Sequence, residues 1–259
     1  MDVLLIGYGA IAREVMRRIA PDEPAKIRWL LVRSSAPKDN GGPEVIHSLD
    51  ELRGTPALAI EAAGHAGVVQ HGAAILERGI DLAVISIGAL ADQRLYDTLA
   101  DAARAGNSKL LLPAGAIGGA DALAAARIGG LDRVLYTSRK PPRAWKGTPG
   151  EKIADLDALK APATLYQGNA REAATLYPQN ANVAATIALA GIGFEKTQVK
   201  LVADPAADGN IHHIAAAGGF GSFTVEMRGK PLPENPKSST LAALSLVRAI
   251  KNRASCIEI

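Results

Sequence analysis

Met1-Asp2-Val3-Leu4-Leu5-Ile6-Gly7-Tyr8-Gly9-Ala10-Ile11-Ala12 is the stretch that decides the fold class. A run suited to a buried strand, Val3 to Ile6, passes directly into Gly7-x-Gly9-x-x-Ala12, and a helical stretch follows. A dinucleotide pyrophosphate needs that order. Gly7 permits the tight strand-to-helix turn, Gly9 lets the backbone approach the phosphates, and Ala12 keeps helix and strand close. The N–H groups at the helix start, at Ala10 and Ile11, then face the anion. Gly7, Gly9, Ala10 and Ile11 are therefore candidate cofactor-binding residues. A glycine turn of this kind also occurs without a ligand. Its place after a strand and before a helix favours the nucleotide.

Outward from this turn, strands and helices alternate. Ile27–Val32, Val45-Ile46, Ala57–Glu61, Asp81–Ile85 and Lys109–Leu112 read as strands. Ala10–Ile19, a stretch from about Val68 to Arg78, and Tyr96–Ala105 read as helices, and Ser48 or Asp50 caps a helical start near Leu49. This pattern means βαβ units and a parallel sheet. After Pro113 the pattern changes. Ala120–Ile128, Ala170–Leu176 and Asn182–Gly191 read as helices. Arg133–Ser138, Ala163–Tyr166, Thr197–Ala203, His212–Ala217 and Gly221–Met227 read as strands, and Lys140 to Gly150 as a long loop. The expected architecture is α/β: a Rossmann domain with a doubly wound parallel sheet over 1–112, then an α+β domain with a mixed or antiparallel sheet over 113–236. The segment 237–259, with an amphipathic helix at Ser239–Lys251, is expected to pack back on the first domain.

The totals set limits. The chain has 259 residues, 48% hydrophobic and only 4% aromatic, so the core is expected to be aliphatic. The net charge of +3 and a pI near 9.0 permit an anionic ligand but give no nucleic-acid signature. One cysteine, Cys256, excludes an intrachain disulfide. No signal peptide is read before the first strand, and no apolar run reaches the roughly 18 residues of a membrane span, so a cytoplasmic location is expected. No metal site is expected, since Cys/His pairs and H-E-x-x-H spacing are lacking. Nor is there a Walker lysine or a nucleophile elbow.

Second strands of NAD-preferring domains end in Asp or Glu, which binds the ribose hydroxyls. Here the sequence is Leu31-Val32-Arg33-Ser34-Ser35. Arg33 offers a guanidinium to a 2′-phosphate and Ser34 a hydroxyl, so NADP, alone or with NAD, is the expected cofactor. A solvated Arg33 stacked on adenine would suit either. Three strand ends are small or polar: Glu61-Ala62-Ala63-Gly64-His65, Ser86-Ile87-Gly88-Ala89 and Pro113-Ala114-Gly115-Ala116. They admit a flat nicotinamide, which makes Ala63 and Gly64 candidates, or else they are simple βα turns. Of the histidines, His47 reads as surface, His71 as the solvated side of a helix, and His65 as near the cofactor. His212 and His213 are neighbours on a strand, so at most one faces the site. A histidine is the natural proton shuttle near neutral pH.

These pieces resemble the L-aspartate dehydrogenase family over nearly the whole length. The resemblance rests on Gly7-Tyr8-Gly9-Ala10-Ile11, Glu61-Ala62-Ala63-Gly64-His65, Ser86-Ile87-Gly88-Ala89-Leu90-Ala91-Asp92 and Pro113-Ala114-Gly115-Ala116-Ile117-Gly118-Gly119. It rests further on Gly168-Asn169-Ala170-Arg171-Glu172-Ala173, Tyr177-Pro178-Gln179-Asn180-Ala181-Asn182-Val183-Ala184-Ala185-Thr186 and Asn210-Ile211-His212. Ala114 stands where the family has Ser. The resemblance implies that His212 is catalytic, that Ala116 and Asn182 contact the nicotinamide cofactor, and that the protein is a cytoplasmic homodimer. It implies reversible NAD(P)-dependent conversion of L-aspartate to oxaloacetate and ammonium through iminoaspartate, which in some members feeds NAD synthesis. The two substrate carboxylates need cationic partners, for which Lys140 and Arg171 are the candidates, each also readable as a solvated or structural charge. An imine reductase of the dihydrodipicolinate reductase type and a non-catalytic NADP-binding regulator are the competing readings.

Overall fold

The computed structural model describes residues 1–20, 23–33 and 42–258, without the side chains at 179, 236 and 237. The chain divides into two compact units, Met1–Gly115 with Ala242–Ile259, and Ala116–Leu241.

The first unit is built on a six-stranded sheet. In chain order its elements are β1 (Asp2–Ile6), α1 (Ala10–Arg18), β2 (Lys26–Leu31), β3 (Glu44–Ile46), β4 (Leu58–Glu61), α2 (His65–Glu77), β5 (Asp81–Val84), α3 (Gln93–Ala105) and β6 (Leu110–Leu111). The strand order is β3-β2-β1-β4-β5-β6, and every pairing is parallel. This is the doubly wound order, whose direction reverses between β1 and β4. Strands buried on both faces must be apolar throughout, and Val3 to Ile6 and Leu58 to Ile60 are completely or nearly completely buried. The helices start where local chemistry allows. Asp92 accepts from the N–H groups of Arg94 and Leu95 to cap α3, and Ser48 caps a single 3₁₀ turn at Leu49–Glu51. In α1, Arg17 and Arg18 occupy the last turn, where the helix dipole favours cations, and both pair with Glu14.

The second unit holds α4 (Ala120–Ile128), β7 (Leu131–Lys140), β8 (Ala163–Asn169), α5 (Ala170–Leu176), α6 (Ala181–Ala190), β9 (Gln198–Ala203), β10 (Asn210–Gly218), β11 (Gly221–Gly229) and a small hairpin of β12 (Pro231–Leu232) and β13 (Asn235–Ser239). Its five-stranded sheet runs β11-β10-β7-β9-β8, antiparallel except for β7 with β9, and so is mixed. Two expectations need correction here. β7 extends to Lys140, so Lys140 is a strand residue rather than the start of a loop. The segment after it is not irregular either. It folds into 3₁₀ turns at Pro142–Trp145 and Pro149–Lys152, because the Trp145 indole is fully buried, meets Tyr177 edge-on, and donates to the Val202 carbonyl at 3.2 Å.

The last helix, α7 (Thr240–Ala254), puts Ala243, Leu246, Val247 and Ile250 into the aliphatic core of the first unit with Val3, Leu5, Leu30, Leu58 and Ile60. Cys256, beyond it, is exposed. No helix among the described residues is long and apolar enough to cross a membrane. Leu246 is completely buried. Leu246→Ala should therefore destabilise the first unit by about 2–5 kcal/mol, the usual cost of a core cavity. Urea unfolding measures it, and an unchanged midpoint would show that α7 contributes nothing to that core.

Candidate functional site

The first unit carries a cradle at the carboxyl ends of its strands. Gly7 has φ +96°, and a Cβ on it would lie 2.8 Å from the Ala62 carbonyl oxygen and from Ala63 Cα. No L side chain fits there. The Gly7 N–H donates to the Leu31 carbonyl at 2.8 Å and the Ala62 N–H to the Ile6 carbonyl at 2.9 Å, which ties the ends of β1, β2 and β4 together. A Cβ on Gly9 would meet no protein atom within 4 Å. Gly9 caps α1 without a side-chain bond, and the first turn, at Ala10 and Ile11, holds no acidic residue. An uncapped helix start above a glycine turn fits a pyrophosphate, whose oxygens would take the N–H groups.

Glu61 organises the neighbouring turn, a role that the sequence reading did not give it. Its buried carboxylate accepts from Ala63 N and Gly64 N at 2.7 Å each, and from Ser86 N and Ser86 Oγ at 3.0 Å. Burial pushes this carboxyl up, and the four donors oppose the rise. Ala63 is exposed at the tip of the turn, and Gly64, at φ +92°, caps α2. The signal in the sequence was an acid closing an otherwise apolar strand. Arg33 is exposed two residues past β2, where an acidic residue would select NAD. Ser34 lies outside the described residues. His65 opens α2, and His47 is exposed with Nδ1 3.0 Å from the Val32 carbonyl oxygen. His71 differs from expectation. It is partly buried, because most of α2 is apolar, and burial lowers its pKa.

The second unit gathers a different group. Val134, Tyr136 and Ser138 alternate inward along β7, and Lys140 follows in phase. β10 pairs His212 with Ser138 and Ile214 with Tyr136, so these side chains share one face. The Tyr136 hydroxyl lies 2.8 Å from His212 Nδ1, and the two rings are nearly parallel. His212 is 4% exposed. Burial, and then the Lys140 charge, pull its pKa down to about 3, so the imidazole is neutral. Burial holds the Tyr136 hydroxyl well above the phenol range, a rise that the nearby Ser138 hydroxyl opposes. The Lys140 ammonium donates to Asn180 Oδ1, lies 5.4 Å from the centre of the Trp145 ring, and is brought by burial to about 8. Tyr136 and Asn180 were missed by sequence reasoning, since only the strand register and a contact over 40 residues reveal them.

The remaining candidates fall as follows. His213 points to the opposite face, beside Arg139, Asp204, Glu226 and Arg228. Ala116 is partly buried in the loop before α4, and Asn182 is exposed on the first turn of α6. Arg171 does not join the His212 group. It pairs with Glu195 and stacks 4.9 Å from the centre of the Phe194 ring. It follows the Asn169 end of β8, which meets Gln198, whereas Lys140 meets Ala203 at the other end of β9, roughly 16 Å away along the strand. No group of three His, Cys, Asp or Glu among the described residues is placed to hold a metal.

Comparison with known proteins agrees with this fold. A family model described as "Aspartate dehydrogenase, C-terminal" matches residues 121–253, and one described as "Homoserine dehydrogenase, NAD binding domain" matches 7–113. The chain is 48% identical to an L-aspartate dehydrogenase of Ralstonia pickettii and 47% identical to one of Cupriavidus necator, covering all of both chains in each case. A crystal structure of aspartate dehydrogenase from Thermotoga maritima superposes with a TM-score of 0.81 at 27% identity, covering 100% of this chain and 99% of that one.

The low pKa of His212 has a measurable consequence. A group depressed from 6.5 to about 3 on folding adds stability that is complete above pH 6.5 and is lost as pH falls towards 3. Over that window the unfolding free energy should fall with acidification up to about 1.4 kcal/mol per pH unit more steeply than in His212→Gln. Parallel slopes for the two proteins would contradict a desolvated, neutral imidazole.

Proposed function

The chain belongs to the L-aspartate dehydrogenase family, and from that premise we propose that it catalyses the reversible, NAD(P)-dependent oxidative deamination of L-aspartate to oxaloacetate and ammonium. The observation that carries the reading is the buried, neutral His212 imidazole, held by Tyr136 on the sheet face that also bears Lys140.

The proposal assigns the cofactor to Gly7, Gly9, Ala10, Ile11, Ala63 and Gly64, with Ala116 and Asn182 as further contacts. When bound, the nicotinamide supplies the hydride acceptor. The other steps fall to the protein. Substrate nitrogen must release a proton as iminoaspartate forms, water then adds to the imine carbon, and ammonia leaves. Tyr136 occupies Nδ1, so Nε2 is the nitrogen that exchanges protons. The Tyr136 bond accommodates both tautomers: the phenol donates when Nε2 carries the proton and accepts when Nδ1 does. His212 therefore serves as base in one step and acid in another. Lys140 supplies positive charge for a substrate carboxylate. Arg171, engaged with Glu195, is dropped from that role. On the same reading the enzyme is a cytoplasmic homodimer, and its iminoaspartate can be drawn off towards NAD synthesis.

Arg33 supports a cofactor choice that includes NADP. Arg33→Asp should weaken NADPH about tenfold, the loss of one charge-assisted contact, and leave NADH affinity unchanged or improved. Equal weakening of both cofactors in fluorescence titrations would mean that Arg33 does not read the 2′-phosphate.

The activity is tested by following reduced nicotinamide in the presence of oxaloacetate, with and without ammonium. Consumption should require both. Consumption without ammonium would indicate a keto-acid reductase, and consumption only with a cyclic imine would favour the imine-reductase reading. His212→Ala should lose about 10²–10⁴-fold in rate with cofactor affinity intact. Near-normal turnover in that variant would remove His212 from the mechanism.

A further inference from the structure

We propose that the pocket at the carboxyl end of β7 is a subsite for the side-chain carboxylate of a small dicarboxylic acid, with Lys140 and Arg143 as its cations, and that it selects dicarboxylic over monocarboxylic substrates. The proposal rests on the dehydrogenase reading and goes beyond it by naming the groups that choose the substrate.

The pocket has a volume of about 260 Å³. That is below the range usual for drug-sized ligands and suits a small acid. Lys140, Arg143, Asn180 and Asn210 line it, together with Lys146 and Asp208. Lys146 is already paired with Asp157 at 2.6 Å. Lys140 and Arg143 have no carboxylate partner among the described residues. Among the described residues the Lys140 ammonium has one polar contact, the Asn180 amide oxygen, and an indole on one side. A partly buried cation without a counter-ion carries a desolvation cost that an anionic ligand relieves. Arg143 lies on the 3₁₀ turn directly after β7, and the buried Trp145 anchors that turn. The guanidinium is thus carried by a fixed segment while remaining exposed.

The pocket adjoins the proton-exchanging group. Asn210 stands two residues before His212 on β10, and Lys140 two residues after Ser138 on β7, so each pair shares a face about 7 Å apart. An acid whose reacting carbon sits at His212 brings a carboxylate one or two carbons further along to Lys140. The contrasting pocket on the other face of the same sheet is larger, about 470 Å³, but its charges are internally matched. There Arg139 pairs with Asp204 and Arg228 with Glu226, each at 2.9 Å.

Two measurements test the subsite. In reductive amination, Arg143→Met should raise KM for oxaloacetate about tenfold or more, as expected for one lost charge-assisted bond. Its kinetics with pyruvate, which has no second carboxylate, should stay unchanged. An equal rise for both oxo acids, or no rise, overturns the proposal. Separately, calorimetry should detect succinate binding to the wild-type protein and its loss in Lys140→Met, with circular dichroism confirming that the variant is folded. Failure of the wild-type protein to bind succinate also overturns it. If succinate binds and Lys140→Met abolishes it while oxaloacetate and ammonium give no turnover, the dehydrogenase reading falls and the subsite stands. If turnover is present and Arg143→Met matches wild type, the subsite falls and the reading stands.

Discussion

The 2.8 Å hydrogen bond between the Tyr136 hydroxyl and His212 Nδ1 constrains everything on the working face of the second sheet. Both rings are almost completely buried, so the ring nitrogen could not be left unpaired without a cost of one to a few kcal/mol. The bond fixes the imidazole plane and commits one nitrogen, which in the proposed mechanism leaves proton exchange to the other. The same burial keeps the ring uncharged, which lets it stand on one sheet face with the Lys140 ammonium. With no substrate anion bound, a protonated imidazole would put two cations in one desolvated site.

The first unit rests on a comparable constraint. Glu61 closes β4 with a carboxylate that takes four donors from two turns, and Gly7 leaves no room for a side chain against Ala62 and Ala63. Strand ends held this closely present N–H groups in fixed directions. A dinucleotide binds where such groups are already ordered, so little further ordering is needed on binding. In both units a buried polar group, Glu61 in one and His212 in the other, is fixed by hydrogen bonds to its neighbours.

Features set by local chemistry were legible in the sequence. The buried run from Val3 to Ile6, the glycine turn and the alternation of strands with helices all follow from spacing along one stretch of chain. Arg33 could be proposed from the sequence because the rule for that position is also local. Tyr136 was not, since its partner is 76 residues away and only the β7–β10 register brings them together. Alternation along a strand allowed at most one of His212 and His213 to face the site and the resemblance implied His212, which is the one buried beside Tyr136. The charge on Arg171 was visible, whereas its pairing with Glu195 was not, and Lys140 was assigned to a loop because the burial of Trp145 that orders the next turn is a tertiary effect.

The central claim is that a hydride leaves Cα of L-aspartate for the nicotinamide while His212 handles protons. L-Aspartate carrying deuterium at Cα tests it most directly. Incubated with the enzyme and oxidised cofactor, it should give reduced nicotinamide with deuterium at C4 and turn over more slowly than the unlabelled acid. Deuterium released to water, with none at C4, would contradict the account.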